Sequence, residues 1–140
     1  SSLGTTLSES QLKKMWHLVD TPLICFDGDN AGINASKNIA IKCLQHLVPG
    51  KSLKFIFLNE NIDPDQFVTT RGKDEFLKLK NSSVNLSDLI WSIILDDMSE
   101  LTPEFVATLD QKIKYYVSKI SNEVVAKEYF RFLIRLRKNY

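Results

Sequence analysis

The sequence predicts an α/β domain, built on a parallel βαβ sheet, followed by a small all-helical subdomain. Three observations carry that expectation. Two short and nearly continuous apolar runs, Leu23-Ile24-Cys25-Phe26 and Leu53-Lys54-Phe55-Ile56-Phe57-Leu58, read as strands buried on both faces. Between them, residues 31–47 place apolar side chains at helical spacing, and a strand–helix–strand order closes into a right-handed parallel unit in nearly every known case. Past Asn81-Ser82-Ser83 the pattern turns purely helical, which divides the chain into 1–83 and 84–140.

The elements follow in order. Ser8 and Gln11 have capping-box spacing and Leu7 with Leu12 fits a hydrophobic staple, so a helix starts at Ser8. Leu12, Met15, Trp16 and Val19 form its apolar face, and Asp20-Thr21-Pro22 stops it. The central helix shows Ala35, Ile39, Ala40, Cys43, Leu44 and Leu47 on one face, and Pro49-Gly50 closes it. After the second strand, Asp63 caps a short helix that begins at Pro64; Arg71-Gly72 breaks it, and Lys73 to Leu79 adds a turn or two. Three amphipathic helices complete the chain. The first carries Leu86, Leu89, Ile90, Ile93 and Ile94. The second starts at Thr102-Pro103-Glu104 and carries Phe105, Leu109, Ile113, Tyr116 and Ile120. The third is capped by Ser121 and carries Val125, Tyr129, Phe132, Leu133 and Leu136.

Composition narrows the class. A chain of 140 residues holds one compact domain or two small pieces sharing an interface, and 44% hydrophobic with 25% charged residues is ordinary for a soluble globular protein. No apolar run reaches membrane-span length and no signal-peptide pattern opens the chain, so the expectation is a cytoplasmic protein with no membrane partner. Two cysteines cannot build a zinc site or a disulfide framework; Cys25 and Cys43 read as small buried hydrophobes. His17 and His46 lack a partner at metal-ligand spacing. The net charge of +1 is uninformative about nucleic acid.

The chemistry is carried by acids. Parallel α/β sheets bind ligands outside the carboxyl ends of their strands. Asp27 and Asp29 stand at the end of the first strand, and Asp63 and Asp65 just beyond the end of the second. Four converging carboxylates repel one another when empty, and a divalent cation resolves that conflict. Hard oxygen ligands select Mg²⁺ or Mn²⁺ over zinc. Gly28 lets the backbone turn between the first two acids, and Ala31-Gly32 keeps the helix start small enough for a phosphate to approach its amides. Either motif alone reads better as a turn with capping residues; together, the metal reading is stronger.

Leu3-Gly4-Thr5, Cys25-Phe26-Asp27-Gly28-Asp29-Asn30-Ala31-Gly32, and Phe57-Leu58 leading to Asp63-Pro64-Asp65 together resemble the latter part of the TOPRIM domain of bacterial DnaG-type primases. The order and spacing fit from Leu3 to about Leu95, including Leu86-Ser87-Asp88. The resemblance implies a partial TOPRIM, Rossmann-like sheet followed by the helical subdomain of the primase core. It implies synthesis of short RNA primers from ribonucleoside triphosphates on a single-stranded DNA template, with Mg²⁺ or Mn²⁺ as cofactor. Asp27 and Asp29 become the catalytic residues, and Asp27, Asp29, Asp63 and Asp65 the metal ligands. Family members also carry a catalytic Glu-Gly-Tyr-type motif, a basic N-terminal region, a zinc-binding domain and a helicase-interacting C-terminal domain. The expectation is therefore a fragment that begins after the glutamate, is inactive alone, and meets the replicative helicase only through a domain it lacks. Asn30 stands where the family often has a basic residue, and Ile62 where it often has an acidic one.

Two rival readings fit parts of the same pattern. A haloacid-dehalogenase-like phosphatase also places Asp-x-Asp after a buried strand, but expects threonine soon after the second acid, where this chain has Asn30-Ala31-Gly32. A non-catalytic helical interaction module would rest on residues 84–140 and survive loss of the acids. Within those helices Lys127, Arg131, Arg135 and Lys138 recur at spacings of four, four and three, and so share one face. They are candidate nucleic-acid contacts, weighed against a solvated face whose charges complement the helix C-terminus.

Overall fold

A computed structural model describes residues 7–58, 83–96 and 102–139. Helix α1 spans Glu9–Leu18, strand β1 Leu23–Asp27, helix α2 Asn30–Cys43 (continued by a 3₁₀ turn, Leu44–His46) and strand β2 Lys54–Leu58. Strand β3 is Val84–Asn85, and helices α3, α4 and α5 are Leu86–Leu95, Pro103–Val117 and Glu123–Lys138.

The start of α1 is the expected capping box. Ser8 accepts from the Gln11 amide, the Gln11 side chain accepts from the Ser8 amide, and Leu7 packs against the core beside buried Leu12. Strands β1 and β2 pair in parallel, with Asp27 opposite Leu58, so both strands deliver their carboxyl ends to one edge. Trp16 Nε1 donates to the Ser52 carbonyl at 2.9 Å, which fixes α1 against the entry to β2. Gly50 has φ +86° in the turn closed by Lys51 N–H to Val48 O, a backbone state that favours glycine.

The sheet order is β1-β2-β3, and β3 runs antiparallel to β2. This third strand is absent from the sequence reading: two residues show no alternation to detect. It leads straight into α3, whose Leu86, Leu89, Ile90, Ile93 and Ile94 are all buried as expected. Helix α3 packs on α2, and α4 and α5 pack on α3 and on each other. One buried cluster runs from Leu12 and Trp16 through Ile24, Ile39, Phe55 and Ile90 to Leu109, Ile113 and Leu133. Each large apolar side chain removed from water contributes about 1.5–3 kcal/mol.

Three expectations are corrected. Asn122, not Ser121, caps α5: its Oδ1 accepts from the Val124 and Val125 amides at 3.1 Å, and Ser121 is one residue too early to reach them. Phe105, expected on the apolar face of α4, is 38% exposed because it falls in the first turn, before the helix meets its neighbours. Helix α2 ends at Cys43 rather than continuing to Leu47. The Leu3-Gly4-Thr5 motif, the helix expected from Pro64, the Arg71-Gly72 break and the turn from Lys73 to Leu79 lie outside the described residues.

Candidate functional site

Asp27 is the last residue of β1 and is exposed, whereas its neighbour Phe26 is buried against Phe55 and Phe57 at ring separations of 6.0 and 6.1 Å. Alternation along the strand fixes this: Ile24 and Phe26 face the core, and the next residue emerges at the edge. The Gly28 amide then donates to the Leu58 carbonyl at 2.6 Å, so the loop is tied to β2 where both strands end.

Asp29 is the N-cap of α2, and its Oδ1 accepts from the Gly32 amide at 2.8 Å. One carboxylate oxygen is thus committed to the helix, and the charge sits where the helix dipole favours an anion. Gly32 is required by packing: a Cβ there would overlap the Asp27 carbonyl oxygen. The first group admitted by the missing side chain is therefore the chain's own backbone. The sequence reading had assigned that room to a phosphate and gave no sign of the internal contact. Further along α2, Lys37 pairs with Asp96 at the end of α3, which ties the two helices together.

The arrangement brings two exposed carboxylates to the carboxyl edge of the parallel pair on anchored backbone. As a donor set of hard oxygens it suits a divalent cation. Asp63 and Asp65, and Ile62 beside them, lie outside the described residues, and among the described residues no third His, Cys, Asp or Glu joins the pair. Lys127, Arg131, Arg135 and Lys138 are exposed along α5, well separated in sequence and element from the acidic edge. Among the described residues, no helix is long and apolar enough to cross a membrane.

Comparison with known proteins bears on the family and the fold. Residues 1–68 match the Toprim-like family. The DNA primase of Rickettsia felis is 39% identical over 132 residues, covering 94% of this chain and 22% of that protein. A DNA primase domain from Pseudomonas aeruginosa superposes with a TM-score of 0.83 at 29% identity, over 98% of this chain and 43% of that one. The chain belongs with the bacterial DnaG-type primases. It spans 22% of the length of its Rickettsia relative. A DnaG primase catalytic domain bound to single-stranded DNA has the same fold, with a TM-score of 0.82 at 24% identity over 99% of this chain and 44% of that one.

Proposed function

We propose that the protein containing this chain is a DNA primase, polymerising ribonucleotides into short RNA primers on a single-stranded DNA template, and that residues 1–83 contribute part of its metal-binding TOPRIM domain. Residues 84–140 are assigned to the helical subdomain, although its first two described residues, Val84–Asn85, add the third strand to the sheet before α3 begins. The observation that carries the reading is the Asp27-Gly28-Asp29 edge, anchored through Leu58 and Gly32 in a chain related to DNA primases.

In this reading Asp27 and Asp29 hold a divalent cation, Mg²⁺ or Mn²⁺, together with Asp63 and Asp65. Such ions supply charge neutralisation of the triphosphate and activation of the primer 3′-hydroxyl when bound. The chain's own part is to fix the carboxylates. Asp29 presents its second oxygen because the first is held by Gly32, and Asp27 is aimed by the last residues of β1. Gly28 leaves the approach over the loop open to phosphate. The single-stranded DNA in the related primase structure supports the choice of template.

Asp29→Asn is the discriminating variant. Asparagine caps a helix about as well as aspartate, so the fold is retained while the ligand charge is lost. In the intact protein, Asp29→Asn and Asp27→Ala are expected to abolish primer synthesis with unchanged circular dichroism. Mn²⁺ titration should broaden the resonances of residues 27–29 in the parent and spare them in the variants. Primer synthesis at parental rates by Asp29→Asn would remove this assignment.

A further inference from the structure

The helical layer carries a feature that metal chemistry at the acidic edge leaves unused. Val117 near the end of α4 and Ala126, Lys127, Phe130 and Arg131 of α5 line a groove of about 310 Å³. Its floor is apolar and its rim is basic. Phe130 is 37% exposed although it is large and aromatic, because it falls off the packing face marked by Tyr129 and Leu133. Lys127 and Arg131 then begin a stripe that Arg135 and Lys138 continue, all four exposed. Arg131 is bridged to Glu128 at 2.8 Å, whereas Lys127, Arg135 and Lys138 have no ion-pair partner among the described residues. Arg137 is excluded from the stripe, since it turns to Asp110 on α4 at 3.4 Å.

We infer that this groove and stripe form a path for single-stranded nucleic acid, with a base stacked on the Phe130 ring and successive phosphates on Lys127, Arg131 and Arg135. The ligand class rests on the primase reading, and the surface chemistry supports it independently. A row of cations calls for a polyanion. Residues four apart on a helix rise about 6 Å along the axis, close to the repeat of phosphates on an extended single strand. An exposed aromatic ring beside the cations adds the sequence-tolerant stacking that single-strand binders use. The same stripe against an acidic protein surface would leave Phe130 without a flat partner.

The test uses the intact protein and a fluorescent oligodeoxythymidylate, with affinity measured by anisotropy across a KCl series, without divalent metal or nucleotide. Those conditions separate it from the reading of the acidic edge, which stands or falls on primer synthesis by Asp29→Asn. Replacing Lys127 and Arg135 by glutamine removes two phosphate contacts and is expected to lower the slope of log affinity against log salt by about 1.4. Phe130→Leu keeps an apolar side chain and is expected to weaken binding about tenfold with the slope unchanged. An unchanged slope in the first variant, or unchanged affinity in the second, overturns the proposal. Parental oligonucleotide binding combined with lost retention on polyglutamate would make the groove a protein-docking surface and would equally overturn it.

Discussion

Gly32 invites two explanations that one substitution separates. If the missing side chain only leaves room for a ligand phosphate, Gly32→Ala stabilises the protein, because alanine exceeds glycine in helix propensity by up to about 1 kcal/mol. The geometry argues otherwise. The added Cβ would overlap the Asp27 carbonyl oxygen and crowd the Asp27 carbonyl carbon at 2.9 Å. Both are backbone atoms, so no rotamer change relieves the conflict. Either the end of β1 or the first turn of α2 must move. Overpacking typically costs about 1–3 kcal/mol, and an overlap with backbone belongs at the upper end, so against a propensity gain of up to about 1 kcal/mol the net loss is about 2 kcal/mol. Urea denaturation of the parent and the variant measures it. With a slope of roughly 1–3 kcal/mol per molar urea, the midpoint should fall by about 0.7–2 M. Because the movement begins at Asp27, the pattern of Mn²⁺ broadening over residues 27–29 should change with it. A midpoint equal to or above the parent's refutes the packing argument and returns Gly32 to the ligand.

Two further outcomes follow from the helical layer and the core. Asn122→Ala should cost about 1 kcal/mol in urea denaturation, since two α5 amides lose their acceptor. Ser121→Ala should be neutral, and the opposite ranking would contradict the assigned cap. Burial pushes the Cys43 thiol from its ordinary 9.0 up to about 12. The folded protein therefore resists thiolate formation, so the stability associated with that thiol is intact below pH 9 and is lost progressively as pH rises toward 12. Iodoacetamide at pH 8 should leave Cys43 unmodified until urea is added; rapid labelling of the folded chain at that position would contradict its burial.

Much of this fold was legible because the decisive signals are local. Ser8 and Gln11 announce α1, Thr102-Pro103 announces α4, and the nearly continuous apolar runs announce β1 and β2. What escaped depends on distant partners. Val84-Asn85 becomes a strand only because the exposed side of β2 is available to pair with it. Ser36 stands three and four residues before Ile39 and Ala40 on the apolar face of α2, and it is fully buried, a polar side chain accommodated because its hydroxyl donates to the Ile33 carbonyl at 2.6 Å. Phe130 lies outside the apolar face of Val125, Tyr129, Phe132, Leu133 and Leu136, but only the packing of α5 shows how much of its ring stays at the surface. In the candidate site, the positions of Asp27 at the end of β1 and Asp29 at the start of α2 were legible in the sequence, but the hydrogen bond that holds one Asp29 oxygen was not.

That hydrogen bond bears on how the acidic edge works. Asp27-Gly28-Asp29 is held at three points: the strand pairing of Asp27 with Leu58, the Gly28 amide on the Leu58 carbonyl, and the Asp29 carboxylate on the Gly32 amide. Gly32 adds a fourth constraint by its contact with the Asp27 backbone. If the proposed cation binds here, this anchoring leaves little backbone freedom to be lost on binding. The opposing term is electrostatic repulsion between acids, which their exposure to water keeps small. Helix α2 offsets it further by presenting its positive end to Asp29. The edge is therefore anchored through its backbone without being self-neutralised, an arrangement that suits the divalent cation proposed above.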